Sequence, residues 1–450
     1  MVPLRGAGSF AREYLRHNAA PDICLYGSRT RFVHPVVTLH RSLTSFCCRS
    51  CGSQQGSLVL DLGIQPLANN LLRPDDLGKP EPKFPLRVAL CEDCWLLQIT
   101  DIIPPVELYG EYLYFSSFSD AALRHAAAAA DKFTREFSLG AESFVVEIAS
   151  NDGYLLKNFV AAGIPCLGIE PAANIARAAI ERGVPTISRF FGRQLAEELT
   201  QEGRHADLIL GNNVFAHAPD PNDFLAGCAA LLKPDGRVVL EFPYLGDLVE
   251  NVEFDTIYHE HVFYFSLTSL QPLFARHGLE VIGVERLPIH GGSLRLFAAR
   301  RGVHPVMPEV QSLLGEERVK GLASARYYED FGSRVSAIRD DLLTLLRKLK
   351  ERKHSIAAYG ASAKGSTLLN FCGLGSETLD FVADRSTAKQ GRLTPGTHLP
   401  IVPAGDLMER RPDYVVLLTW NFADEILSQQ QAYRDAGGKF VIPIPKVTVV

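Results

Sequence analysis

No stretch of this 450-residue chain stays apolar for the roughly eighteen residues that a membrane-spanning helix needs. There is no excess of positive charge either. Lysine and arginine total 46 against 51 aspartates and glutamates, a net charge of −5, so no general basic field is on offer to nucleic acid. A long apolar segment is missing near the start, which argues against a secretory signal. Internal repeats are absent, and the alanines at 126–130 are the one biased run. Apolar residues make up 46% and charged residues 22%, the balance of a soluble globular protein with room for two or three domains. The sequence does not fix an oligomeric state.

The first forty residues carry Arg5, Arg12, Arg16, Arg29 and Arg31 against only Glu13 and Asp22. A transit-type segment fits this composition; a disordered extension over 1–43 is the plainer expectation. Nine cysteines occur, at 24, 47, 48, 51, 91, 94, 166, 228 and 372, and five of them crowd into 47–94. Clustered CxxC pairs in an enzyme-sized chain point to a metal in a reducing compartment, hence a cytoplasmic protein, not to disulfides. Cys48 and Cys51 pair with Cys91 and Cys94 as four soft ligands suited to tetrahedral Zn²⁺. With no open position, such a site is structural. The bland alternative is a set of reduced buried thiols, and Cys47 beside Cys48 leaves the register of the first pair open. Segment 44–105 holds little core of its own, so a metal would help it fold.

From residue 140 strands and helices alternate. Strands are expected at 143–149, 165–170, 206–212 and 236–242, with helices at 153–162, 172–182 and 222–232. Such alternation implies a parallel sheet covered on both faces. Further strands are expected at 280–286 and 293–300. Segment 307–352 reads as helical from Val335, Ile338, Leu342, Leu345 and Leu349. After 353 a second α/β rhythm begins, with strands at 355–359, 379–383, 413–419 and 440–444. The expected division is 44–105, 106–305, a helical linker 306–352, and 353–450.

Several clusters could carry chemistry. Glu147 to Gly153 ends a strand and opens a helix, where backbone N–H groups gather. Glu170 follows at the end of the next strand, where an acid can bind ribose hydroxyls. An ordinary α/β turn with a surface Glu would look similar. The missing phosphate-type glycines favour S-adenosylmethionine over a dinucleotide. The turn Leu231-Leu232-Lys233-Pro234-Asp235-Gly236 resembles the late turn of class I methyltransferases. Asn212, Asn213 and His217 lie beyond a strand end and can touch adenine or the methionine part; a polar loop with His217 capping a helix is the alternative. Tyr258-His259-Glu260-His261 combines a base of near-neutral pKa with a carboxylate and a phenol. Its spacing does not match a HExxH metal helix. Segment 111–119 offers phenols and hydroxyls, or plain core aromatics ahead of an N-cap at Ser119. Tyr359 to Ser366 could hold phosphate at a helix start, with Asp384 and Arg385 ending the next strand; a structural turn is the alternative.

CRSCG (48–52), VLDLGIQPLANNLL (59–72), PLRVALCEDCWLLQ (85–98), YLYFSSFSD (112–120), VVEIASNDGYLL (145–156), LGIEPAANIA (167–176), YHEHVFYFS (258–266), HGGSLR (290–295) and AYGASAKGSTLLN (358–370) occur in one order. Together they resemble the S-adenosylmethionine-dependent sugar C-methyltransferases of deoxysugar biosynthesis, over nearly all of 44–450. The resemblance implies an α/β fold: a zinc-binding N-terminal module, a class I methyltransferase Rossmann-like domain, and a C-terminal Rossmann-like α/β domain. It implies a nucleotide-diphospho keto-sugar as partner. Donor binding would fall to Glu147, Ser150, Asn151, Gly153, Tyr154, Leu155, Glu170, Pro171, Asn212, Asn213 and His217. Catalysis would fall to Tyr258, Glu260 and His261 with Tyr112 or Tyr114. His261 would take the proton from carbon beside a ketone, a tyrosine would support the enolate, and Glu260 would orient His261 or a sugar hydroxyl. Ala149 departs from the family's usual Gly, which could tighten the turn. Other readings are methylation of another keto substrate, a non-catalytic nucleotide-sugar-binding protein, and a nicotinamide-dependent oxidoreductase.

Overall fold

The computed structural model describes residues 46–108, 115–289 and 291–450. The expected extension 1–43, Tyr112 and Tyr114 lie outside the described residues. No helix among those described is long and apolar enough to cross a membrane.

Three sheets organise the described residues. The first is antiparallel: β1 (Gly56–Pro66), β2 (Lys83–Cys91), β3 (Leu97–Ile99) and, far along the sequence, β9 (Phe263–Tyr264). Leu97 faces Tyr264 and Gln98 faces Phe263 across the β3–β9 ladder.

The second sheet has seven strands. β4 (Val145–Ile148), β5 (Cys166–Ile169), β6 (Thr186–Ile187), β7 (Ala206–Asn212) and β8 (Leu232–Pro243) are parallel. β10 (Leu279–Leu287) and β11 (Ser293–Arg300) complete it, with β11 antiparallel to both neighbours. The spatial order is β10-β11-β8-β7-β4-β5-β6, the class I methyltransferase arrangement that the resemblance implies. Parallel strands buried on both faces read as unbroken apolar runs, and Val145, Val146, Leu208, Ile209, Val238 and Val239 are fully buried. The order of connection reverses beside β4. That switch point opens a crevice at the carboxyl ends of β4, β5 and β7.

The third sheet is β14-β13-β12-β15-β16-β17, built from β12 (Ile356–Tyr359), β13 (Val382–Asp384), β14 (Ile401–Pro403), β15 (Tyr414–Leu417), β16 (Lys439–Ile442) and β17 (Thr448–Val449). It is parallel except for β17.

Side-chain caps start the helices where the sequence suggests. The Ser119 hydroxyl accepts the Ala122 amide at 3.2 Å ahead of the alanine-rich helix Asp120–Glu136. Asp220 accepts the Asn222 and Asp223 amides, with Pro221 next to it, at the start of Pro221–Leu231. Segment 307–352 is not one continuous helix. It divides into Pro308–Lys320 and Phe331–Glu351, because Gly321 turns left-handed at φ 85° and ends the first. In the second, Leu346 is buried where the sequence pattern favours Leu345, which is only partly covered.

Candidate active site

The four sulfurs of Cys48, Cys51, Cys91 and Cys94 lie within 4.8 Å of one another. Cys48 Sγ is 3.5 Å from Cys94 Sγ, and Cys51 Sγ is 3.6 Å from Cys91 Sγ. These separations are too long for disulfides. A tetrahedron with metal–sulfur bonds of about 2.3 Å has edges of about 3.8 Å, so the cage suits a zinc-sized ion. Each CxxC pair closes on a tight turn: the Gly52 amide donates to the Cys48 carbonyl at 2.8 Å and the Trp95 amide to the Cys91 carbonyl at 3.0 Å. Cys47 stays outside, exposed.

At the switch-point crevice, Glu147 occupies the end of β4 and is 1% exposed. Neither carboxylate oxygen has a hydrogen-bond partner among the described residues. Burial, then the nearby Glu170, Asp152 and Glu241, push its pKa well above the usual carboxylate range. Such a group calls for a cationic or hydrogen-bond-donating ligand, and S-adenosylmethionine carries both a sulfonium and an ammonium. The Glu170 carboxylate accepts the Asn151 amide at 3.0 Å and the Ala172 amide at 2.9 Å, bracing the turn from the neighbouring strand.

The turn between them is left-handed at three positions: Ala149 (φ 53°), Asn151 (φ 48°) and Gly153 (φ 77°). At Gly153 a Cβ would sit 2.8 Å from Val184 Cγ2, so glycine is required twice over. Ser150 is buried, and its hydroxyl has no hydrogen-bond partner among the described residues. Tyr154 and Pro171 are half-buried, while the Leu155 side chain is in the apolar core, leaving its backbone for any ligand. The segment before Asp120 locks onto this turn. The Ser116 amide donates to Asn151 Oδ1 at 2.8 Å, and Ser117 and Arg182 both bond Asp152. Behind it, Glu241 holds Arg295 and His125 at 2.6 and 2.7 Å, tying helix Asp120–Glu136 to the sheet.

Asn212 ends β7 and Asn213 follows at φ 53°, its amide donating to the Glu241 carbonyl at 2.7 Å. His217 does not cap a helix; it closes the short turn Phe215–His217, and Asp220 is the cap. Its ring meets the His261 ring edge to face at 4.8 Å between centroids. Densely surrounded, it loses hydration, and its pKa falls to about 4. A neutral His217 leaves room for His261 to accept a proton without a second cation alongside.

His261 is 7% exposed. Its Nδ1 is 2.8 Å from the Thr256 carbonyl and its Nε2 is 2.7 Å from the Tyr258 hydroxyl. A carbonyl only accepts, so Nδ1 carries the proton and Nε2 presents its lone pair. The Glu260 carboxylate accepts from the Asn69 side-chain amide at 2.8 and 2.9 Å. His259 turns the other way, packing edge-on against Phe84 and lying 3.2 Å from the Pro85 carbonyl, so it anchors the loop to β2. The Ile99 amide donates to the Val262 carbonyl at 2.9 Å, and the Val262 amide to the Ala216 carbonyl at 2.7 Å.

The third sheet also reaches this loop. Ser362 caps helix Ala363–Cys372, from which Thr367 donates to the Ile257 carbonyl at 3.1 Å and Ser366 to the Ala68 carbonyl at 2.8 Å. The Trp420 indole donates to Asp255 at 2.7 Å, and Lys364 sits over the Trp420 ring. Asp384 accepts the Ala361 and Ser386 amides at 2.7 Å each, closing its own turn, and Arg385 reaches Asp120 and Glu425. Sequence reasoning missed Asn69, Thr256, Asp255 and Trp420. Only Asn69 lay inside a stretch with a signal, the 59–72 run.

Three family models match successive stretches of the chain. Residues 48–109 match the family model described as "Putative zinc binding domain", 122–284 a methyltransferase domain, and 288–445 a C-methyltransferase C-terminal domain. The chain is 40% identical over 404 residues to the C-methyltransferase NovU of Streptomyces niveus, covering 90% of this chain and 96% of that one. The chain belongs to the C-methyltransferase family. It is an S-adenosylmethionine-dependent enzyme with a methyltransferase domain at its centre. A shorter match links this C-methyltransferase to a ubiquinone biosynthesis O-methyltransferase of Rhodopseudomonas palustris (strain TIE-1), 30% identical over 118 residues, covering 24% of this chain and 46% of the relative. Among solved structures, magnesium protoporphyrin IX methyltransferase from Synechocystis PCC 6803 with bound SAM is similar at 13% identity and a TM-score of 0.31, covering 40% of this chain and 79% of that one.

Proposed function

We propose that this C-methyltransferase methylates the carbon next to the ketone of a nucleotide-diphospho keto-deoxysugar, with His261 as general base. The observation that supports this most directly is the fixed tautomer of His261. With Nδ1–H held by Thr256, the basic nitrogen is Nε2, and it points at a phenol. A proton beside a ketone is acidic because the anion spreads onto oxygen, and Nε2 takes it. The Tyr258 hydroxyl then turns its hydrogen bond from Nε2 to the enolate oxygen, where charge develops. Glu260 accepts from a sugar hydroxyl. Tyr112 or Tyr114 shares the task of supporting the enolate.

Donor binding falls to the switch-point crevice: Glu147 for the cationic end, Glu170 for ribose hydroxyls, the turn Ser150–Leu155 with Pro171 around the nucleoside, and Asn212, Asn213 and His217 across from them. When bound, S-adenosylmethionine supplies an electrophilic methyl group. Cys48, Cys51, Cys91 and Cys94 hold a structural Zn²⁺. The chain divides into 44–105, 106–305, a helical stretch 306–352 and 353–450. The experiment is a panel of nucleotide keto sugars and unrelated keto compounds with methyl-labelled S-adenosylmethionine. Label on carbon in a nucleotide keto-deoxysugar supports the reading; label only in the other ketones overturns it.

A further inference from the structure

Glu260 is 3% exposed, and a polar group so deeply buried needs a hydrogen-bond partner. One donor is Asn69, whose Nδ2 straddles both carboxylate oxygens at 2.8 and 2.9 Å. The amide must face this way, because its oxygen against the carboxylate would set two acceptors together. Asn69 lies outside the methyltransferase sheet, on the loop that follows β1. That loop is pinned from elsewhere. The Leu71 amide donates to the Asn69 carbonyl at 2.9 Å and the Asn70 amide to the Leu67 carbonyl at 3.1 Å. Ser366 donates to the Ala68 carbonyl at 2.8 Å, and Leu72 and Leu393 exchange backbone bonds at 3.0 and 2.8 Å. So the side chain on Glu260 is placed by the N-terminal module and held there by the C-terminal one.

We infer that Asn69 is a positioning residue for methyl transfer: its amide, bonded to both oxygens of Glu260, fixes the orientation in which that carboxylate meets the substrate. The inference rests on the role of Glu260 given above. The arrangement makes the site a product of three modules, with the methyltransferase domain supplying the base and the module beside the cysteines setting the carboxylate.

The test is a double-mutant cycle on the full-length, metal-loaded enzyme with a nucleoside-diphospho-4-keto-6-deoxyhexose as probe. Asn69→Ala is expected to lower kcat about ten- to a hundredfold, the loss typical of one charge-assisted hydrogen bond. Donor affinity, zinc content and melting temperature stay near wild type. In a Glu260→Ala background, Asn69→Ala has no further effect, because no side-chain acceptor is left for the amide. Should Asn69→Ala fail to fold, the similarly sized Asn69→Leu, which has no donor, carries the same cycle. Wild-type kcat in the Asn69 variants, with Glu260→Ala and His261→Asn impaired, overturns the inference alone. An equal loss in both backgrounds marks a merely structural role and also overturns it. Full activity in both Glu260→Ala and His261→Asn overturns the underlying reading as well.

Discussion

The Tyr258 hydroxyl lies 2.7 Å from Nε2 of His261, with the two rings 4.0 Å apart between centroids. Two residues of one loop thus place an imidazole nitrogen and a phenol in contact before any substrate arrives. The pairing is held from outside the loop, by the Thr256 carbonyl on Nδ1 and by the β3–β9 ladder just downstream. Tyr258→Phe keeps the ring and loses the donor. It is expected to lower kcat about a hundredfold with little change in donor affinity, the size found for a lost oxyanion donor. Steady-state kinetics with titration of S-adenosylmethionine checks this.

The cysteine cage should hold one zinc per chain. Cys91→Ser is expected to lose the metal, measured by elemental analysis, and to lower the melting temperature. Structural zinc supplies about 10–16 kcal/mol in zinc-finger peptides. Activity should fall too, because β3 carries β9 and the active-site loop. Full activity in a metal-free variant would count against a structural role.

Ala149 sits at φ 53°, in the left-handed region that disfavours a Cβ. Ala149→Gly is expected to raise stability by about 0.5 kcal/mol, the strain relieved less the extra entropy of glycine in the unfolded chain. Urea denaturation reads this.

Glu253 is 1% exposed, and burial pushes its carboxyl up from the ordinary 4.5 to about 7, against the pull of nearby Lys364. Between those values the folded chain keeps a proton that the unfolded chain has released. Its contribution to stability is therefore present below 4.5 and lost as pH rises towards 7. Glu253→Gln should flatten that decline in a melting-temperature profile; an unchanged slope would show that other groups set it.

The methyltransferase sheet was readable in advance because its buried parallel strands are continuous apolar runs. The ends at 206–212 and 293–300 coincide with β7 and β11, and the others shift by a few residues. The clustering of Cys48, Cys51, Cys91 and Cys94 was readable because paired spacing is itself the signal. What escaped was held by long-range or backbone contacts. β9 is two residues long, too short for any period, and is defined only by its ladder with β3. Thr256 acts through a carbonyl that every residue owns. Trp420 and Asp255 meet across two sheets, and nothing local in either segment announces the partner.

The central claim is that Nε2 of His261 removes the proton beside the substrate ketone. It is tested most directly by solvent exchange in D₂O, with S-adenosylhomocysteine in place of the methyl donor. Mass spectrometry of the recovered nucleotide keto-deoxysugar reads deuterium at that carbon. The wild-type enzyme should incorporate it, and His261→Asn should slow incorporation at least about a hundredfold. Equal incorporation by the two proteins would contradict the account.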